Sequence, residues 1–116
     1  MRNDARPATA IQANYVVVFT SRLRTDAKGY EQAAQQMLER VRAQPGFVEA
    51  ISLRGEDGLG VTLSYWDSAE SILQWRDDAE HAAIRAQGRA DWYQFYSIQI
   101  GKIERSYHWK RGQVDE

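Results

Sequence analysis

From Tyr15 to Leu23 the chain reads Tyr-Val-Val-Val-Phe-Thr-Ser-Arg-Leu, a β-branched and aromatic run with little polar interruption. Such a run predicts a strand, with Tyr15, Val17, Phe19 and Ser21 on one face and Val16 and Val18 on the other. Both faces of this strand therefore need a cover. After a polar break at Thr25–Gly29 the period changes. Tyr30, Ala33, Ala34, Met37, Leu38 and Val41 recur at helical spacing, while Glu31, Gln32, Gln35, Gln36, Glu39 and Arg40 fill the opposite side. This predicts an amphipathic helix that ends before Pro45-Gly46.

Phe47–Leu53 alternates apolar with small or polar residues, and Gly55-Glu56-Asp57-Gly58 supplies an Asp-Gly turn leading into Val61–Trp66, which predicts an antiparallel hairpin. Asp67, followed three residues later by Glu70, has the form of a capping box opening a helix that carries Ile72 and Trp75. Asp77-Asp78 interrupts the apolar pattern. Ala79–Gln87 then reads as a further helical segment stopped by Gly88, and Tyr93 to about Tyr107 as one long strand, bent near Gly101.

The order β-α-β-β-α-β predicts an α+β, ferredoxin-like βαββαβ fold: a four-stranded antiparallel sheet with helices on one face. One domain is expected over 13–109, between a flexible N-terminal arm at 1–12 and a polar C-terminal tail at 110–116. If the alternation holds, Val16, Val18, Thr62, Trp66, Tyr96, Ile98 and Ile100 occupy the sheet's second face. Left in water they would form a large apolar patch, so the pattern predicts a homodimer with Trp66 in its core.

Composition narrows the chemistry. At 116 residues, 27% charged and with a formal charge of −1, the chain has no general pull toward polyanions, so neither nucleic acid nor membrane is an expected partner. It contains no cysteine, which removes disulfides, zinc–thiolate sites and thiol nucleophiles. No apolar run follows the basic residues near the N-terminus, and a cytoplasmic location is the expectation. Gly55, Gly58 and Gly60 belong to a hairpin turn and lack the setting of a phosphate loop.

Val17–Leu23, Gln44-Pro45-Gly46-Phe47, and Ser64-Tyr65-Trp66-Asp67-Ser68 with Trp75 and His81 together resemble the antibiotic biosynthesis monooxygenase family. The resemblance runs from about Tyr15 to Tyr107. It implies a dimeric α+β barrel whose pocket lies between the helices and the sheet, with Tyr15, Val17, Phe19 and Ser21 facing it and Trp75 and His81 closing it. The family includes cofactor-independent oxygenases of anthrones and quinols, haem-degrading enzymes, and members without assigned activity. In the haem-degrading branch a first-strand asparagine, a tryptophan, and a histidine ten residues later serve the haem. Here Ser21 and Trp75 stand at the first two positions and Arg85 at the third.

The leading expectation is a cofactor-independent monooxygenase, with no cofactor and no metal, that oxidises an aromatic small molecule with O2. Such a substrate is its own reductant once deprotonated, so the site must bind a flat ring, take a proton, and hold an anion in a dry setting. His81 is the candidate base and Trp75 the candidate wall, with Phe19, Ser21, Tyr65, Trp92 and Tyr96 as substrate-binding residues. On one continuous helix His81 would be rotated roughly 240° from Trp75, so their convergence requires a break at Asp77-Asp78. The bland alternatives are a surface histidine bonded to Asp77 or Asp78, a core tryptophan, and Trp92, Tyr93 and Tyr96 at a subunit contact. Arg22, Arg24, Arg76, Arg85 and Arg89 read as solvated ion pairs, with Arg85 also placed to suppress charge on His81. Two rival functions remain: a non-catalytic dimeric module for a small hydrophobic ligand, and a haem-binding or haem-degrading protein.

Overall fold

The computed structural model describes residues 3–4 and 10–112. Its elements are β1 (Asn3–Asp4), β2 (Tyr15–Leu23), α1 (Tyr30–Arg42), β3 (Phe47–Arg54), β4 (Leu59–Trp66), α2 (Ala69–Asp77), α3 (Ala79–Gln87) and β5 (Tyr93–Lys102). One wide π-helical turn, Gly88–Trp92, joins α3 to β5. The sheet runs β1-β3-β4-β2-β5 and every pairing is antiparallel. Its four long strands have the ferredoxin-like order. The two-residue β1 adds an edge pair, Asn3 with Leu53 and Asp4 with Ser52, within the segment expected to be a flexible arm. The rest of that arm up to residue 9, and residues 113–116 of the tail, lie outside the described residues. No helix among those described is long and apolar enough to cross a membrane.

Cross-strand pairing settles which residues share a face. Phe19 pairs with Thr62 and Ile98, Val17 with Ser64 and Ile100, Ser21 with Tyr96, and Tyr15 with Trp66. Thr62, Trp66, Tyr96, Ile98 and Ile100 therefore stand on the helix side, and of the residues expected on the second face only Val16 and Val18 lie there. The reason is register. Alternation within one strand leaves open which of its two sets joins a neighbour's inner set, and a one-residue offset exchanges them. Trp66 is 0% exposed and packs with Val41 and Ile72, joined by Tyr15, Val17, Leu38, Phe47 and Trp75. It is a core residue of this chain rather than of a dimer contact. Its indole Nε1 donates to Ser64 Oγ at 2.9 Å, so the polar edge of the ring is satisfied.

Other local details differ as well. The N-cap of α2 is Ser68, whose hydroxyl accepts from Ser71 N at 3.1 Å, so the cap falls one residue later than the Asp67/Glu70 pattern suggests. The last strand ends at Lys102, and residues 103–112 run without strand pairing. Gly46 lies between α1 and β3 at φ +83°, and a Cβ there would strike Ser71 Oγ and reach 2.5 Å from Asp67 Oδ1. The start of α2 thus packs directly on this backbone, which only glycine permits.

Candidate functional site

The inner faces of β3 and β4 carry Ala50, Ser52, Thr62 and Ser64. These are small side chains, and they leave a hollow of about 400 Å³ between the sheet and the helices. A volume of this size suits a ligand of a few fused rings. Ser52 Oγ and Thr62 Oγ1 satisfy each other at 2.8 Å across the strand pair. At one end the hollow meets the Trp66 core. The other end is aromatic: Phe19 stacks on Tyr96 at 5.5 Å and meets Tyr93 edge-on at 5.6 Å, while Tyr30 meets Trp92 and Tyr93 edge-on.

The wall formed by α2 and α3 depends on Asp78. Its ψ of 131° takes the chain out of the helical region, and its carboxylate then caps α3 by accepting from His81 N at 3.2 Å. Arg40 of α1 grips the same carboxylate with two bonds, Nε to Oδ1 at 2.9 Å and Nη2 to Oδ2 at 3.0 Å, a paired geometry that fixes position as well as charge. The break returns His81 to the side of Trp75. Their rings stack with centroids 4.2 Å apart, and His81 Nδ1 lies 2.9 Å from the Trp75 carbonyl oxygen.

A carbonyl oxygen only accepts, so Nδ1 carries the hydrogen and the neutral ring keeps its lone pair on Nε2. That atom has no partner among the described residues. Burial pushes the His81 pKa below its ordinary 6.5, and the Arg85 guanidinium acts the same way. The bond to Trp75 and the charge of Asp78 oppose the shift. The net effect is a neutral imidazole near pH 7.

Trp75, His81, Phe19, Trp92 and Tyr96 all line the hollow; Ser21 and Tyr65 do not. Trp92 is 2% exposed and donates from Nε1 to the Lys28 carbonyl at 2.9 Å, closing the floor. The Tyr96 hydroxyl accepts from Arg89 Nε at 2.7 Å, which leaves its own hydrogen to donate. Tyr65 pairs with Val16 and Glu49 on the sheet's outer face. Ser21 is 0% exposed and acts through Arg54, accepting from its Nη2 at 2.8 Å.

Arg54 was not expected at the site. Its Nη2 also donates to Tyr30 Oη at 3.1 Å and its Nη1 to the Gly58 carbonyl at 2.6 Å. The guanidinium lies 5.2 Å from the Tyr30 ring centroid, within cation–π range. Gly60 makes the space: a Cβ there would sit 2.8 Å from Arg54 Cζ. Burial and neighbouring Tyr30 push the Tyr93 hydroxyl far above the ordinary phenol range, so it stays protonated. Arg85, expected in solvent, lines the hollow with its Nε buried. The available signal was the series Ala50, Ser52, Arg54, in which each inward position is small or polar.

The sequence profile described as antibiotic biosynthesis monooxygenase matches residues 14–87. The uncharacterized protein YqjZ of Bacillus subtilis is 40% identical over 91 residues, covering 78% of this chain and 80% of that one. Among solved structures, Rv0793 of Mycobacterium tuberculosis aligns with TM-score 0.73 at 15% identity, covering 83% of this chain and 100% of its own. SnoaB of Streptomyces nogalater, a cofactor-independent oxygenase, aligns with TM-score 0.68 at 16% identity, covering 81% and 97%. At these identities the two structures are similar in fold.

Proposed function

Because the chain belongs to the antibiotic biosynthesis monooxygenase family, we propose that it is a cofactor-independent monooxygenase of a phenolic, anthrone or quinol-type aromatic, with O2 as co-substrate. The observation that carries this reading is the His81–Trp75 pair, a neutral imidazole held by its Nδ1 on the wall of an aromatic hollow. His81 Nε2 takes the proton that leaves the substrate, and the resulting anion reduces O2. For an anthrone, the CH2 becomes C=O; one oxygen atom enters the product and the other leaves as water with the two hydrogens. Trp75, Phe19 and Tyr96 hold the ring, Tyr96 and Arg54 are the polar anchors, and Ser21 and Trp92 support them from behind.

The test is oxygen uptake on anthrones and naphthohydroquinones with a chelator present. His81→Ala is expected to lower the substrate-dependent rate by about 10²- to 10⁴-fold, the range for a positioned general base. Uptake that ignores the substitution, or no uptake on any substrate, defeats the assignment. The non-catalytic alternative draws on the same hollow: a ligand that raises the melting temperature without being converted would favour it. For the haem reading, the position ten residues after Trp75 holds the guanidinium of Arg85, which has no lone pair for iron. A cytoplasmic homodimer is the form in which we expect the protein to act, with Val16, Val18, Ile51, Leu53 and Leu63 on the contact face.

A further inference from the structure

Arg85 lines the hollow, yet its Nε is buried with no hydrogen-bond partner among the described residues. A charged donor withdrawn from water normally finds an acceptor, and one without an acceptor calls for an explanation. The other charged groups at the hollow are differently placed. Arg54 is occupied by Ser21, Tyr30 and Gly58. Glu31 and Glu56 are exposed residues of the lining. His81, one turn before Arg85 on α3, is held neutral by its burial and by Arg85 itself. Among the described residues, none of these side chains accepts from Arg85 Nε.

We infer that Arg85 is an oxyanion subsite: the ligand is a flat aromatic carrying a negatively charged oxygen group, which accepts from Arg85 Nε while the ring lies among Trp75, Phe19 and Tyr96. The inference rests on the proposed function and narrows its substrate class. A carboxylate substituent and an ionised phenol share this chemistry, and each would place an acceptor where the fold lacks one. Arginine suits the role because its planar fork binds oxyanions with direction as well as charge.

Three probes with one ring system test it: 2-naphthoate, its neutral methyl ester, and 2-naphthol, each titrated under nitrogen by calorimetry and absorption. Wild type is expected to bind 2-naphthoate about tenfold or more tightly than the ester, as a charge-assisted hydrogen bond implies. Arg85→Gln should abolish that preference without weakening the ester, and Arg85→Lys should keep part of it. If the natural group is a phenol, 2-naphthol will bind as its anion at a pH where the free compound is neutral, again only with a cation at position 85. Circular dichroism and melting curves of the variants guard against unfolding. An ester that binds as well as the acid while naphthol stays neutral, an anion preference that survives Arg85→Gln, or no binding of any probe to wild type would each overturn the subsite. Oxygen uptake on the same preparations separates the two readings. Anion preference without uptake sinks the oxygenase and leaves the subsite, whereas uptake with no Arg85-dependent preference does the reverse.

Discussion

The imidazole of His81 lies 4.2 Å from the indole of Trp75 with the planes 14° apart, and the same tryptophan's carbonyl holds Nδ1. One residue thus fixes both the plane of the ring and its tautomer. Stacking alone would leave the imidazole free to turn about its normal, and the hydrogen bond alone would leave it free to tilt. Asp78 makes the arrangement possible by ending α2, capping α3 and anchoring both to Arg40.

Stability should record the lowered His81 pKa. The unfolded histidine takes up its proton near 6.5, whereas burial, aided by Arg85, keeps the folded one neutral to lower pH. Between those two values the unfolded state binds more protons, so stability present above about pH 6.5 is lost as pH falls toward the folded pKa. Urea midpoints measured from pH 7 down to about 5 should therefore decline more steeply for wild type than for His81→Gln. Parallel declines would show that His81 titrates normally.

The Ser21–Arg54 pair should behave as a coupled unit. Ser21→Ala leaves Arg54 Nη2 short of a buried acceptor and is expected to lower stability by about 1–3 kcal/mol. Arg54→Met removes the donor. With both changes made, the cost should fall below the sum of the two by about 0.5–3 kcal/mol, the range for residues in one network. Strictly additive urea midpoints would remove Ser21 from the support of the site.

Much of the fold was legible in the sequence because its elements announce themselves. The helix over Tyr30–Arg42, the hairpin around Asp57-Gly58 and the break at Asp77-Asp78 all follow from period, turn chemistry and a lapse in the apolar stripe. Facing was harder to read. Polar positions on a strand are ordinarily taken to face water, yet here Ser52, Thr62 and Ser64 face the hollow, while Ile51, Leu53 and Leu63 face outward. That inversion exchanged Tyr65 with Trp66 and concealed Arg54. Whether Arg85 meets solvent or the hollow depends on the angle between α2 and α3, which residue spacing does not specify.

Gly46 should not tolerate a side chain. Its φ of +83° and the proximity of Asp67 and Ser71 act together. Gly46→Ala is expected to lower stability by more than about 1 kcal/mol, the usual scale for a non-glycine residue held in the left-handed region. Adding Ser71→Ala relieves one of the close contacts but leaves the backbone strain, so rescue should be partial. Full rescue would mean that crowding by Ser71 is the whole effect.

The outward set on the central strands leads to the last prediction. Val18 pairs with Leu63, Leu63 with Ile51, Thr20 with Val61, and Val61 with Leu53, so these side chains form one surface away from α1 and α2, apolar except for the Thr20 hydroxyl. Patches of this kind on soluble proteins mark contact surfaces, and a symmetric pair of sheets is self-complementary by construction. Sedimentation at micromolar concentration should give twice the chain mass. Leu63 lies at the centre, flanked by Val18 and Ile51, so Leu63→Lys places a charge where two sheets would meet and should yield monomers that retain the wild-type circular dichroism. If wild type sediments as a monomer, the sheet face has another cover. A Leu63→Lys protein that remains dimeric would move the contact off the sheet altogether.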